Sequence, residues 1–476
     1  MSNVGIDAIS FYVPEIFLPI KSLAEKRGII YDKLNAGLGL EKMAMADINE
    51  DAATFCANAL IALFKNNNLN PKDIGRIYLG TESAVDSSKP TATYAVEVLE
   101  KELAIKYGER SLRNCDVLDM TFACIGAVDA FQNSIDWVNC GDNRRAIVVA
   151  SDVSKYELNS TGEYTQGAGA VALLISKNPS ILAINNVWGV ATKSENDFFK
   201  PRRSYKKSVL IDELINLFNP NLDKESTSDL LSESNFWNNA NELIEVYKEE
   251  PIFDGQYSNA CYAQRMEEAL DHFKSQTTIN FLNDWNHLIF HLPYAFHGRR
   301  ILFNSWYNWV KENNKLDMLI DEIGKIEDDI DTWTKKAAKS KMYSKFIETK
   351  IAAGEKASTT IGNMYTASIF MSLLSTLSVH FENDTDIVKQ NIGFIAYGSG
   401  SKAKVFEGII QENWKSKIKD VSLFHYLNNR IEISISDYEK IHKNELEKPI
   451  TNKNTRLIHK DSEINSLGYR RYNYNK

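Results

Sequence analysis

Long apolar runs are absent from this chain. No stretch approaches the roughly 20 consecutive apolar residues that a membrane-spanning helix needs, so no membrane-embedded function is expected. The N-terminus, MSNVGIDAIS, has neither the basic n-region nor the apolar h-region of a secretory signal, and the expected location is the cytoplasm. Cysteine is scarce, with five residues in 476: Cys56, Cys115, Cys124, Cys140 and Cys261. They form no CxxC pair and no zinc-like spacing, and their odd number points to free thiols in a reducing compartment. The eight histidines are scattered without ligand spacing, so no metal is expected. Positive charge is also in deficit. A formal net charge of -8 and a pI of about 5.7 argue against a nucleic-acid surface. An anionic small ligand stays open, because a few local cations suffice to hold one.

What is present is ordinary globular composition, 43% hydrophobic and 25% charged, in a chain long enough for a large core. Short β-branched runs that end in glycine or small residues read as buried strands: IGRIYLG (74–80), CDVLDM (115–120), RAIVVASD (145–152), AVALLIS (170–176), HLIFHLP (287–293) and NIGFIAYGSG (391–400). Helical patterns lie between them, as in residues 52–67 and 125–139. Alternating strands and helices predict an α/β fold with helix-covered sheets. Residues 203–250 and 310–358 are charged and helix-prone, and are expected as helical insertions. The organisation expected is an N-terminal half over 1–176, a C-terminal half over 177–445 with those insertions, and a polar tail over 446–476.

The halves echo one another. TQGAGAVALLIS (165–176) resembles AYGSGSKAKVFE (396–407), and TFACIGAVDAF (121–131) resembles GNMYTASIFMS (362–372), in the same order. A duplicated βα unit explains this. Cys124 stands between a strand and a helix, where helix N–H groups and the dipole lower a thiol pKa and hold an oxyanion. The same position suits a buried thiol that merely packs a turn. His291 ends a strand before proline, Asn363 stands at a helix start where capping is its ordinary role, and Glu82 follows a strand. Open α/β sheets bind ligands at strand C-termini, and a buried carboxylate there can serve as a general base. The small-residue turns at 167–169 and 398–400 let backbone N–H groups approach a carbonyl oxygen.

These segments together resemble the 3-hydroxy-3-methylglutaryl-CoA synthase family, from about residue 3 to about 440. GTESAVDSSKP is similar to the family's glutamate motif, at Glu82, and DMTFACIGAVDA to its nucleophile motif, at Cys124. NSTGEYTQGAGAVALLI places Thr165, and FDGQYSNACY places Ser258, in substrate positions; DFFKP (197–201) is a further matching block. FHLPYAFHGRR is similar to the histidine motif, at His291. GNMYTAS and AYGSG supply Asn363 and Ser399. The resemblance implies a thiolase-like fold of two pseudo-repeated βα halves in a layered arrangement. It implies an acyltransferase that condenses acetyl-CoA with acetoacetyl-CoA through an acetyl-Cys124 intermediate in the mevalonate pathway. No cofactor is implied beyond these CoA thioesters, and the expected assembly is a homodimer. Two residues depart from the family pattern. Ile125 follows the nucleophile in place of an aromatic residue, and Phe296 replaces a lysine that meets CoA phosphates. Arg299 and Arg300 are the first replacements to consider, then Lys200 and Arg202. Phe296 keeps open a β-branching synthase acting on carrier-protein-bound β-ketothioesters. Glu82 argues against a ketoacyl synthase of the same fold, and the full residue set against a non-catalytic scaffold.

Overall fold

The apolar runs become strands of one mixed sheet. The chain was analysed as a computed structural model that describes residues 3–218, 232–234, 237, 242–325, 329–451, 455–460 and 468–474. Ten strands form the sheet: β1 (Val4–Tyr12), β2 (Arg76–Gly80), β3 (Asp116–Met120), β4 (Ala146–Ser154), β5 (Gly167–Lys177), β6 (Leu182–Ile184), β7 (Gly189–Thr192), β8 (His287–Phe290), β9 (Asn391–Gly398) and β10 (Lys402–Ile410). Their order is β8-β9-β10-β6-β1-β5-β4-β2-β3, with β7 also on β10. Strands β2, β3 and β4 pair in parallel, as do β8 and β9. Strand β4 then pairs antiparallel with β5, and β9 with β10, so the two halves repeat one pattern. The layered, pseudo-repeated α/β arrangement expected from the sequence is the one observed.

Two helices meet at the centre between the halves: α3 (Gly126–Asn139) and α5 (Ser368–Glu382). Every residue of α5 from Ser368 to Ser378 is buried, and the polar residues of that stretch are all small serines and one threonine. Phe131 of α3 lies 5.5 Å from Phe370 of α5 and 5.8 Å from Phe406 of β10. Full burial of such a ring contributes on the order of 1.5–3 kcal/mol. Helices α1 (Ala52–Asn66) and α2 (Thr91–Tyr107) cover the other face of the N-terminal half, and α4 (Gly255–Lys274) packs on the C-terminal half.

The described part of residues 310–358 contains helices such as Leu316–Ile323 and Lys341–Lys350. Residues 203–250 are not purely helical. Arg203–Lys206 pairs antiparallel with Leu243–Val246, and between them the described Lys207–Phe218 is a helix. The strands were missed because they are short, charged and largely exposed, with no buried face to impose an apolar alternation. The tail is not merely wrapped over the surface. Thr455–Lys460 pairs with Arg470–Tyr474, and Tyr472 donates to Asp51 at 2.7 Å. Asp51 also caps α1 through Thr54, so the tail closes over the capping box of a buried helix.

Candidate active site

The C-terminal ends of β2, β3, β8 and β9 point to one place. Helix α3 approaches β2 so closely that a Cβ on Gly80 would stand 2.2 Å from the Ala127 nitrogen. A Cβ on Gly398 would stand 2.9 Å from the Ile125 nitrogen and from the Phe122 carbonyl oxygen. Glycine at both positions lets the turn that carries Cys124 seat against β9. In that turn Ala123 has φ +37°, an uncommon conformation for a residue with a side chain, and Cys124 follows at 9% exposure.

Glu82 lies 3.9 Å from the Cys124 sulfur through Oε2, while Oε1 is 3.6 Å from Lys200 Nζ. Burial pushes the Glu82 carboxyl up to about 7, with Lys200 opposing the rise and Asp152 adding to it. Cys124 departs from expectation. Burial, and then the Glu82 carboxylate, push its thiol well above the ordinary value, outweighing the helix N-terminus two residues ahead. The resting group is a thiol whose proton must leave as it reacts. Lys200 also departs from its expected place at a phosphate, because its ammonium is turned inward, 4.9 Å from the Tyr365 ring centre.

His291 is the first residue past β8, is buried, and bonds Ser368 Oγ through Nδ1 at 2.6 Å. Ser368 Oγ also accepts the Leu292 N–H at 3.2 Å. Burial alone lowers His291 to about 3, so the ring is neutral near pH 7. Tyr262 packs on this ring. Its ring stacks on His291 at 6.1 Å, and burial first, then Cys124, push its hydroxyl well above the ordinary range.

The remaining sequence candidates fall into two groups. Asn363 is buried, receives the Tyr365 N–H on Oδ1 at 2.8 Å, and donates its own N–H to the Thr165 carbonyl at 2.9 Å. Thr165 is half-buried and donates its hydroxyl to the Gly162 carbonyl at 2.8 Å. Ser258 is 3.3 Å from Asp197 Oδ2, and Ser399 precedes Gly400, whose N–H donates to Asp197 Oδ1 at 2.8 Å. Arg299 and Arg300 form the second group. The Arg299 fork is engaged by Glu355, with Nε–Oε1 at 2.9 Å, and its guanidinium stacks 3.7 Å above Phe296. Arg300 is exposed beside Tyr294.

Sequence reasoning missed two buried aspartates. Asp152 Oδ1 accepts from Thr81 Oγ1 at 2.9 Å and from the Glu82 N–H at 2.8 Å, while Oδ2 accepts the Thr366 N–H at 3.0 Å. Asp197 gathers Tyr397, Ser258 and Gly400. The available signal was an aspartate closing an apolar strand in the first case and opening DFFKP in the second. Tyr156 was also missed; burial, then Cys124 and Glu82, raise its hydroxyl. Among the described residues no cluster of three or more His, Cys, Asp or Glu has metal-binding geometry.

Two family models match the chain. "Hydroxymethylglutaryl-coenzyme A synthase N terminal" covers residues 1–180 and the corresponding "C terminal" model covers 242–474. Lys200 and much of the first insertion lie between the matched spans. A hydroxymethylglutaryl-CoA synthase of Haloferax volcanii is 29% identical over 461 residues, covering 93% of this chain and 92% of its own. One from Enterococcus faecalis is 29% identical over 439 residues, covering 92% and 91%. The solved structure "MvaS in complex with 3-hydroxy-3-methylglutaryl coenzyme A" superposes with a TM-score of 0.75 at 24% identity, covering 100% of both chains.

Proposed function

We infer the activity from one premise: the chain belongs to the hydroxymethylglutaryl-CoA synthase family. It condenses acetyl-CoA with acetoacetyl-CoA to give 3-hydroxy-3-methylglutaryl-CoA and CoA, the condensation of the mevalonate pathway. The observation that carries the residue assignment is the contact between a buried thiol and a carboxyl poised near neutral pH. Cys124 attacks the acetyl thioester, its proton passes to the departing sulfur, and CoA leaves as the thiol. Glu82 takes a methyl proton, and the enolate carbon attacks the acetoacetyl ketone. The alkoxide recovers the proton, and water releases product from the cysteine. Oxyanions on the thioester are held by the N–H groups of Cys124 and Ser399. The test is incubation with both substrates while following loss of the acetoacetyl-CoA enolate absorbance. No loss with active-site cysteine intact overturns the reading.

In the tautomer with its proton on Nε2, His291 offers that N–H to the ketone oxygen, and Asn363 supports the turn beside it. His291→Ala is therefore expected to raise the apparent KM for acetoacetyl-CoA far more than that for acetyl-CoA, checked by steady-state titration of each substrate. Equal losses would place the ring in support of Cys124 instead. Thr165 and Ser258 line the substrate path in this reading, and Arg300 is its phosphate contact. Arg299 reaches that path only by leaving Glu355. A carrier-bound acceptor is the second reading, favoured by Phe296 and by the engagement of Arg299. Condensation on a carrier-linked β-ketothioester but not on acetoacetyl-CoA would establish it.

The same proposal includes a homodimer and a cytoplasmic site of action. Among the described residues strand β3 is an outer edge of the sheet, with Leu118 at 40% exposure, which supports a second copy pairing there. Leu118→Lys is expected to shift the molar mass in light scattering toward the monomer. A relative in Homo sapiens is named cytoplasmic, and no helix among the described residues is long and apolar enough to cross a membrane.

A further inference from the structure

The two oxygens of Glu82 are used differently. Oε2 faces the Cys124 sulfur, and Oε1 faces Lys200 Nζ at 3.6 Å, with the two charged side chains only 11% and 6% exposed. Lys200 is carried by the segment Phe198–Phe199, which pairs antiparallel with Ile252–Phe253. Its ammonium is seated over the Tyr365 ring at 4.9 Å and meets no other carboxylate within 4 Å among the described residues.

The groups that face Glu82 come from several elements. Asp152 lies at the end of β4, Cys124 in the turn before α3, Tyr156 in the loop after β4, and Tyr365 in the turn before α5. Each of these is neutral or anionic. Lys200 is the one cation in the set. A buried carboxylate with only such neighbours takes up a proton and stops being a base. The Asp152 bond holds the main-chain N–H of Glu82 and not its carboxyl group, so the orientation of the carboxyl is left to Cys124 and Lys200.

Resting on the condensation reading above, we propose that Lys200 is a positioning residue for Glu82: its ammonium anchors Oε1, leaves Oε2 turned toward the acyl group on Cys124, and keeps the carboxylate ready to accept a proton. In the step it serves, a methyl C–H bond breaks, its electron pair passes to the enolate, and the proton bonds to Glu82. Lys200 keeps its three protons throughout. When the alkoxide takes the proton back, the ion pair re-forms. This reading accounts for an inward lysine in a motif that otherwise suits contact with a CoA phosphate.

The test compares Lys200→Met, Lys200→Arg and the native enzyme in three measurements: stoichiometric acetylation of Cys124, the pH profile of condensation, and infrared difference titration of the Glu82 carboxyl band, identified by its loss in Glu82→Gln. An opposite charge at this distance typically moves a carboxyl by about one to three pH units. Lys200→Met is expected to reach the native stoichiometry of Cys124 acetylation, more slowly because the Lys200 charge lowers the thiol pKa. It is expected to lose about 10-fold or more in condensation at pH 7, and to move the acidic limb and the infrared midpoint together to higher pH by about one to three pH units. Lys200→Arg should restore most of both. In the Glu82→Gln background, Lys200→Met should cost little more. A raised KM for CoA substrates with an unmoved pH profile would overturn the proposal and make Lys200 a phosphate contact. A native enzyme that fails to condense would sink the functional reading instead. The infrared midpoint still judges Lys200 in that case, and an unmoved midpoint rejects its role.

Discussion

Glu82→Ala is expected to keep acetylation of Cys124 by acetyl-CoA while losing condensation by roughly 10²–10⁴-fold, the usual contribution of a positioned general base. The two half-reactions make different demands. Acylation needs a sulfur nucleophile and donors for an oxyanion. Condensation also needs a proton taken from a methyl group, a poor acid even beside a thioester. The electrostatics favour the same split. The Glu82 charge is second only to burial in raising the Cys124 thiol, so its removal makes the thiolate easier to form. In the native enzyme the acidic limb of condensation should fall near pH 7, because the base works only when deprotonated and burial holds its pKa at about 7. Mass spectrometry of the acetyl-enzyme beside a product assay decides the matter. A mutant that condenses normally removes Glu82 from the mechanism. One that is folded by circular dichroism but cannot be acetylated makes Glu82 a support for the cysteine.

Cys124→Ala is expected to abolish both covalent labelling and condensation. The other sulfurs are placed differently: Cys56 is buried in the apolar cluster of the N-terminal half, Cys261 is buried on α4, Cys115 adjoins the outer edge strand, and Cys140 follows the far end of α3. Loss of a nucleophile that forms a covalent intermediate costs on the order of 10⁶-fold in well-studied hydrolases, enough to leave no product above background. The thiol is kept protonated at rest, so slow alkylation of the native enzyme is expected at neutral pH, accelerating as pH rises. Peptide mapping after labelling with acetyl-CoA checks the site. Acetylation at any of the other four cysteines would overturn the assignment.

Six of the ten strands were legible because each apolar run is bounded by glycine or small residues, and all six named runs lie in the sheet. The places of Glu82, Cys124 and His291 beyond strand ends were legible because each stands at or just past the end of such a run. Asp152 was not, although it closes the run RAIVVASD, because its burial depends on Thr366, 214 residues away. Local sequence carries no trace of that partner. The direction taken by Lys200 was hidden for a similar reason. A lysine after two phenylalanines suits a surface phosphate contact as well as an inward ion pair, and only the positions of Glu82 and Tyr365 decide between them. The thiol pKa was misjudged because the helix N-terminus is visible in sequence, whereas full burial beside a carboxylate is not.

The echo between the halves is offset by one residue from its sequence alignment. Helices α3 and α5 begin at Gly126 and Ser368, and three residues before each start stands a non-glycine with positive φ: Ala123 at +37° and Tyr365 at +43°. The residue that answers to Cys124 is therefore Thr366, not Tyr365. One copy of the turn holds the reagent; the other has become a fastener, giving its N–H to Asp152, the same carboxylate that holds the Glu82 main chain. Division of labour of this kind makes the two halves inseparable in use. A fragment ending near β5 would contain Cys124, Glu82 and Asp152 yet lack the donors that satisfy Asp152 Oδ2. It would also lack β9, against which the cysteine turn is seated. Supplying the missing half as a separate chain would have to restore the fastener before the reagent could work.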